Sequence, residues 1–163
     1  MKFSTHQMAR GALIAALYAV LTLFFTYTSY SNIQYRFAEA FTILPMLSPC
    51  YAVGVTLGCF IANLWSPNGI TDLIFGTGAT LIASLITYFI GKSNIKFKKF
   101  IAPIPPVLVN AVIVALVLKY SLGLPFWLSA LQVGWGEFIC AYVLGILLMT
   151  FIEKNPKLKK LFL

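Results

Sequence analysis

An all-α bundle embedded in a lipid bilayer is what this sequence predicts, from its composition, the length of its apolar runs and the placement of its charges. Of its 163 residues, 60% are hydrophobic and only 10% are charged, and the mean hydropathy is +0.90. A water-soluble domain of this size has too much surface to hide that share of apolar side chains. The apolar runs approach 20 residues, the length at which a helix with all its backbone groups paired internally crosses hydrocarbon. A net charge of +8 would suggest nucleic acid in a soluble chain. Here ten of the twelve basic residues lie in the N-terminal segment, the 92–99 interval and the C-terminal tail. That placement orients a chain in a membrane, so no nucleic-acid partner is expected.

The first span runs from Met8 to about Thr26. It is longer than a signal core, lacks a small-x-small exit and ends in a Tyr- and Phe-containing stretch suited to a membrane interface, so cleavage is not expected. The stretch Phe37 to Trp65 is long for one helix and holds Pro45 and Pro49, both disruptive inside a helix. It reads as two short helices, about 38–48 and 50–65, meeting at the LSPC turn. Leu73 to Ile90, Ile101 to Leu118 and Phe126 to Ile152 complete six transmembrane helices. With both termini cytoplasmic, Lys2, Arg10, Lys92, Lys96, Lys98, Lys99, Lys154, Lys157, Lys159 and Lys160 lie inside and only Arg36 and Lys119 outside. A five-span alternative fits the charges nearly as well, and the two prolines decide for six. The polar interval GKSNIKFKK at 91–99 is too short to fold alone, so residues 1–163 form a single transmembrane domain.

Four acidic residues are distributed over this frame. Glu153, at the cytoplasmic end, reads as solvated. Glu39 opens the second helix, Asp72 opens the fourth, and Glu137 lies inside the last span, in GWGEFICAYVLG. An ionised carboxylate in hydrocarbon costs at least a few kcal/mol, so Glu137 calls for a cation, a hydrogen-bonding ligand or a wet cavity. Asn63 and Asn110 fall at the same depth. Each also has a structural reading: Glu39 as the helical partner of Arg36, Asp72 as a helix cap, Asn110 as interhelical glue. Cys50, Cys59 and Cys140 are too widely spaced for a disulfide framework or a metal cluster and read as small packing residues. Gly11, Ala15 and Ala19 form a stripe on helix one with Ala12 and Ala16 beside it, and Gly54, Gly58 and Ala62 do the same on helix three. Flat faces of this kind allow close backbone approach.

ARGALIAALYAV, IQYRFAEAFTILPMLSP, LGCFIANLWSPNGITDLIFGTGATLIA and GWGEFICAYVLG together resemble the QueT family, the substrate-capture S components of energy-coupling-factor transporters for queuosine precursors. The resemblance implies a multi-pass protein of the bacterial plasma membrane with no ATPase or cofactor of its own, and the chain carries no GxxxxGK[ST] phosphate loop. It implies docking of Gly11, Ala12, Ala15, Ala16 and Ala19 on a transmembrane coupling subunit, two cytoplasmic ATP-binding subunits, and a toppling motion that releases substrate inside. A 7-deazaguanine presents two adjacent N–H donors, which the Glu137 carboxylate can accept. Trp135, Phe138, Tyr35 and Trp65 are the flat partners available to its ring, and Glu39 or Asp72 to an aminomethyl cation. Asn63 and Asn110 complete the candidate set, while Arg36 joins it or serves the outer loop. The alternatives are an S component for another vitamin-like molecule and a small ion-coupled carrier, although no internal repeat supports the latter. An enzyme is not expected, because the single histidine, His6, lies at the cytoplasmic entrance.

Overall fold

The computed structural model describes residues 4–31 and 33–162, and among these every regular element is helical; Lys2, counted above among the cytoplasmic charges, lies outside them. Helix α1 (Thr5–Phe24) starts at Ser4, whose side chain accepts the Gln7 N–H while Gln7 bonds back to the Ser4 N–H. This reciprocal cap satisfies two of the donors that a helix start leaves free. A single turn, α2 (Thr26–Ser29), follows.

The next segment, Phe37–Met46, is a 3-10 helix where the sequence suggested an α-helix over 38–48. Its bonding is i to i−3 at both ends, from the Glu39 N–H to the Arg36 carbonyl at 2.9 Å and from the Leu47 N–H to the Leu44 carbonyl at 2.9 Å. Pro45 lies inside it, has no N–H to give and would clash with the carbonyl one α-turn back. Ser48 is extended, and Pro49 opens α3 (Pro49–Asn63), where its missing N–H costs nothing. The break falls at the prolines, as expected.

A π-helical turn at Asp72–Gly76 leads into α4 (Thr77–Lys92). After the short α5 (Lys98–Ile101), α6 (Ile104–Leu122) ends on Gly123, whose φ of 69° closes the helix in the left-handed region. The last span starts as α7 (Phe126–Glu137), passes through a π-helical segment at Phe138–Val143 and continues as α8 (Leu144–Lys154); α9 (Pro156–Phe162) follows. Four stretches are long and apolar enough to cross a membrane: Thr5–Phe24, Asp72–Lys92, Lys98–Leu122 and Phe126–Lys154. Phe37–Met46 and Pro49–Asn63 are shorter apolar helices.

Small residues set the helix spacings. A Cβ on Gly54 would lie 2.4 Å from the Gly11 carbonyl, and one on Gly58 would lie 2.7 Å from the Ala15 carbonyl. Helices α1 and α3 therefore touch backbone to backbone. Gly91 gives the same clearance to Met46, seating the end of the 3-10 segment on α4. Ile14, Tyr18, Ile43, Leu44, Tyr51 and Val55 fill the core between these elements. Outward faces are apolar as well, with Leu17, Leu57, Ile82, Leu108, Leu147 and Phe151 exposed. A surface of this kind suits lipid, which demands no polar coat. At one end Glu153 is not merely solvated, since Lys99 binds it at 2.6 Å and ties α5 to α8.

Candidate functional site

Glu137 ends α7 at the point where the π-helical segment begins, and only 3% of its surface is exposed. Opposite, in the middle of α6, Asn110 is 4% exposed and donates from Nδ2 to Glu137 Oε1 at 2.8 Å. The bond fixes the amide orientation, because a carboxylate oxygen accepts. Asn110 Oδ1 and Glu137 Oε2 then remain without partners among the described residues. Two acceptor oxygens on mutually bonded groups are left unmet in a buried place, where an unmet polar group is costly.

The residue before Glu137, Gly136, is where a loop packs onto this helix. A Cβ there would lie 2.1 Å from the Ile33 carbonyl oxygen and 2.9 Å from that of Gln34. The strand of loop before the 3-10 segment therefore rests directly on α7. Gln34 adopts φ 54°, rare for a residue with a side chain, and the Arg36 N–H closes back on the Gln34 carbonyl at 2.8 Å. This tight turn directs Arg36 inward, where it is 8% exposed. Its Nη1 lies 4.0 Å from Glu39 Oε1 and 3.9 Å from Cys59 Sγ, and its guanidinium sits 5.1 Å over the Tyr30 ring. Glu39 Oε1 also accepts the Tyr18 hydroxyl from α1. The 3-10 segment that carries Glu39 packs against the π-helical segment that follows Glu137. Arg36 Nε and Glu39 Oε2 are again unmet among the described residues.

Asn63 and Asp72 form a different knot. Asn63 Nδ2 donates to the Asp72 carbonyl at 3.0 Å and to Cys59 Sγ at 3.3 Å. The Asp72 carboxylate accepts from Ser66 and from Asn68 Nδ2 at 3.1 Å. Its acceptors hold the 66–71 loop, and among the described residues the carboxylate takes its hydrogen bonds from Ser66 and Asn68 side chains rather than from the backbone of the π-helical turn that it opens. Cys59 is more than a packing residue, because its sulfur also accepts the Thr80 hydroxyl at 3.2 Å and joins this knot to Arg36.

The aromatic residues singled out from the sequence are less buried than the polar ones. Trp135, Phe138 and Trp65 are 56%, 40% and 63% exposed, and Tyr35 is half-buried. Trp135 stacks on Phe138 and Phe138 on Tyr142, at centroid distances of 6.1 and 5.2 Å, along the outer face of the helix. The small stripe divides: Gly11, Ala15 and Ala19 are buried, with Gly11 and Ala15 backing the glycines of α3, while Ala12 and Ala16 face outward. An apolar groove of about 290 Å³ runs beside them between α1 and α3, lined by Met8, Gly11, Ala12, Val53, Gly54 and Leu57.

The sequence reading missed Tyr18, Tyr30, Cys59 and Gly136. Tyr18 had a signal, since it lies on the α1 face of Gly11, Ile14 and Ala15, which the small residues mark as buried. Gly136 had one too, as a glycine beside an intramembrane carboxylate. Tyr30 sits in a loop and carries none.

Residues 8–154 match the family model described as QueT transporter. The queuosine precursor transporter QueT of Lactococcus lactis subsp. cremoris (strain MG1363) is 26% identical over 174 aligned residues, covering 98% of this chain and 99% of that protein. No solved structure matches. Since the match extends from α1 through α8 and takes in Arg36, Glu39, Asn110 and Glu137, the chain belongs to the QueT transporter family.

Proposed function

We propose that this chain is the substrate-capture component of an energy-coupling-factor importer that takes up a queuosine precursor, a 7-deazaguanine, across the bacterial plasma membrane. The observation that carries the reading is the pair of unmet acceptors, Asn110 Oδ1 and Glu137 Oε2, on groups held together by a 2.8 Å bond. The N1–H and exocyclic N–H of a guanine-type edge are two adjacent donors that such a pair accepts, one of them onto a carboxylate in a dry site. The name of the Lactococcus relative points to the same ligand class.

In this reading the whole chain is one membrane unit of six spans with both termini inside, Phe37–Met46 and Pro49–Asn63 serving as the two short spans. ATP is hydrolysed by two partner subunits, and a transmembrane coupling subunit docks on the outward residues Ala12 and Ala16. Gly11, Ala15 and Ala19 act indirectly, by holding α1 against α3. The loaded chain topples to release its cargo inside.

Glu137→Gln tests the reading. The side chain keeps its volume and its bond from Asn110 but turns one acceptor into a donor, so a ligand N–H meets an N–H. Such a mismatch costs about 1–3 kcal/mol, so affinity for 7-deazaguanine falls by about five- to 150-fold. Without ligand the variant melts at or above the parent's temperature, because a buried charge has been removed. A variant that is destabilised yet binds 7-deazaguanine normally would make Glu137 a structural residue and defeat the proposal.

A further inference from the structure

The unmet groups of the buried centre are not all of one kind. Glu137 Oε2, Asn110 Oδ1 and Glu39 Oε2 accept, whereas Arg36 Nε donates. Resting on the reading above, in which a guanine-type edge meets the Glu137–Asn110 pair, we infer that Arg36 is the specificity-determining residue for the ring carbonyl beside that edge, donating to it from Nε.

Three observations carry this. First, the guanidinium is held in place. Its Nη1 end is engaged by Glu39 at 4.0 Å and Cys59 at 3.9 Å, and its face lies 5.1 Å over Tyr30, itself fixed by a 2.8 Å bond from its hydroxyl to the Ala62 carbonyl. These contacts leave the Nε–H edge over. Second, the backbone is shaped to deliver this side chain to the interior: a left-handed Gln34, a turn closed from the Arg36 N–H, and a seat on Gly136 that admits no Cβ. A residue needed only to neutralise Glu39 could do so from the 3-10 segment itself without a left-handed residue ahead of it. Third, the seat places the arginine's loop on the residue adjacent to Glu137.

The chemistry follows from the donor pattern. A guanine-type edge reads carbonyl, N1–H, exocyclic N–H. Two acceptors and one donor on the protein are its complement, and the contact from a guanidinium to the carbonyl is charge-assisted. A base with an amino group in place of the carbonyl would set N–H against N–H and be rejected, since a buried donor left unpaired discriminates strongly. Charge alone would not distinguish these bases.

The test compares 7-deazaguanine with its 6-thio analogue, which keeps both N–H donors and replaces the carbonyl oxygen by a weakly accepting sulfur. Equilibrium binding is measured on the full chain in lipid nanodiscs, for the parent and for Arg36→Lys, which keeps a positive charge opposite Glu39 but has no donor at the Nε position. We expect the parent to prefer the oxo compound at least tenfold and the variant to lose most of that preference, which separates the missing contact from the larger size of sulfur. A parent preference under about threefold, or an equal preference in the folded variant, overturns the inference. Should Arg36→Lys not fold, infrared spectra of carbonyl-labelled 7-deazaguanine on the parent decide: a stretch shifted to lower wavenumber than in water supports the contact, and an unshifted one overturns it. If 7-deazaguanine does not bind at all, the reading under Proposed function falls as well; if it binds without discrimination, only the role of Arg36 falls.

Discussion

Replacing Gly136 by alanine adds one carbon where the structure has no room. The new Cβ would lie 2.1 Å from the Ile33 carbonyl oxygen, whereas carbon–oxygen contacts settle near 3.3 Å. The loop must therefore retreat by about 1.2 Å. Overpacking of this kind costs roughly 1–3 kcal/mol, and the better helix propensity of alanine returns up to about 1 kcal/mol. Net stability falls by about 0–3 kcal/mol. Binding suffers more, because Arg36 rides on the displaced turn and hydrogen bonds weaken steeply when misaligned by an ångström. Loss of one charge-assisted contact corresponds to about tenfold or more in Kd. Thermal unfolding and equilibrium binding of 7-deazaguanine in nanodiscs measure the two effects separately. Gly78→Ala is the control: nothing lies within 4 Å of its added Cβ, so the variant is expected to be as stable as the parent or slightly more so, with unchanged affinity. A Gly136→Ala protein that binds like the parent would refute the idea that this seat positions Arg36.

Ala12→Trp or Ala16→Trp, both on the outward side of α1, should abolish uptake and assembly with the coupling subunit while 7-deazaguanine binding by the isolated chain persists; binding lost with assembly kept would place these residues in the pocket. Ala15→Trp, by contrast, lies against α3 and should fail to fold, as yield and thermal unfolding would show. Single cysteines report topology: one at 94–98 should react only from the cytoplasm and one at Asn68 only from outside, and labelling of both from one side would remove the six-span arrangement. Asp72→Ala strips Ser66 and Asn68 of their shared acceptor, so stability should drop by about 1–3 kcal/mol with little change in affinity for 7-deazaguanine; the opposite pattern would return Asp72 to the ligand.

Hydropathy records how long an apolar run is, and so the four long spans could be located from the sequence to within a few residues, as could the break at Pro45 and Pro49. Rotation about the helix axis is another matter. Where every side of a helix is apolar, no polar stripe marks which way Trp135 or Phe138 points, and both carry large exposed surfaces. The chain's few charges are more informative, because each must be accounted for in a low-dielectric setting. That argument marked Glu137 as a residue needing a partner, and helical spacing offered Arg36 to Glu39, a pair that lies 4.0 Å apart in the structure. It did not reach the contacts made between distant helices. Tyr18 reaches Glu39 across 21 positions of sequence and Asn110 reaches Glu137 across 27, and such pairings depend on how helices cross. Nor is the 3-10 geometry of Phe37–Met46 written in its composition, beyond the presence of Pro45.

The unequal lengths of the helices bear on the membrane itself. Helix α3 has 15 residues and rises about 22 Å, while the continuous Phe126–Lys154 helix has 29 and rises about 43 Å. No bilayer of uniform thickness matches both, and α3 presents Val53, Leu57, Phe60 and Ile61 to its surroundings. In the six-span arrangement proposed above, where α3 crosses the membrane, acyl chains beside it must shorten or splay, whereas the long helix satisfies a bilayer near 30 Å only by leaning. Acyl-chain length thus becomes a control on the resting tilt of this bundle, with thin bilayers relieving the strain at α3 and steepening the lean of its tallest helix.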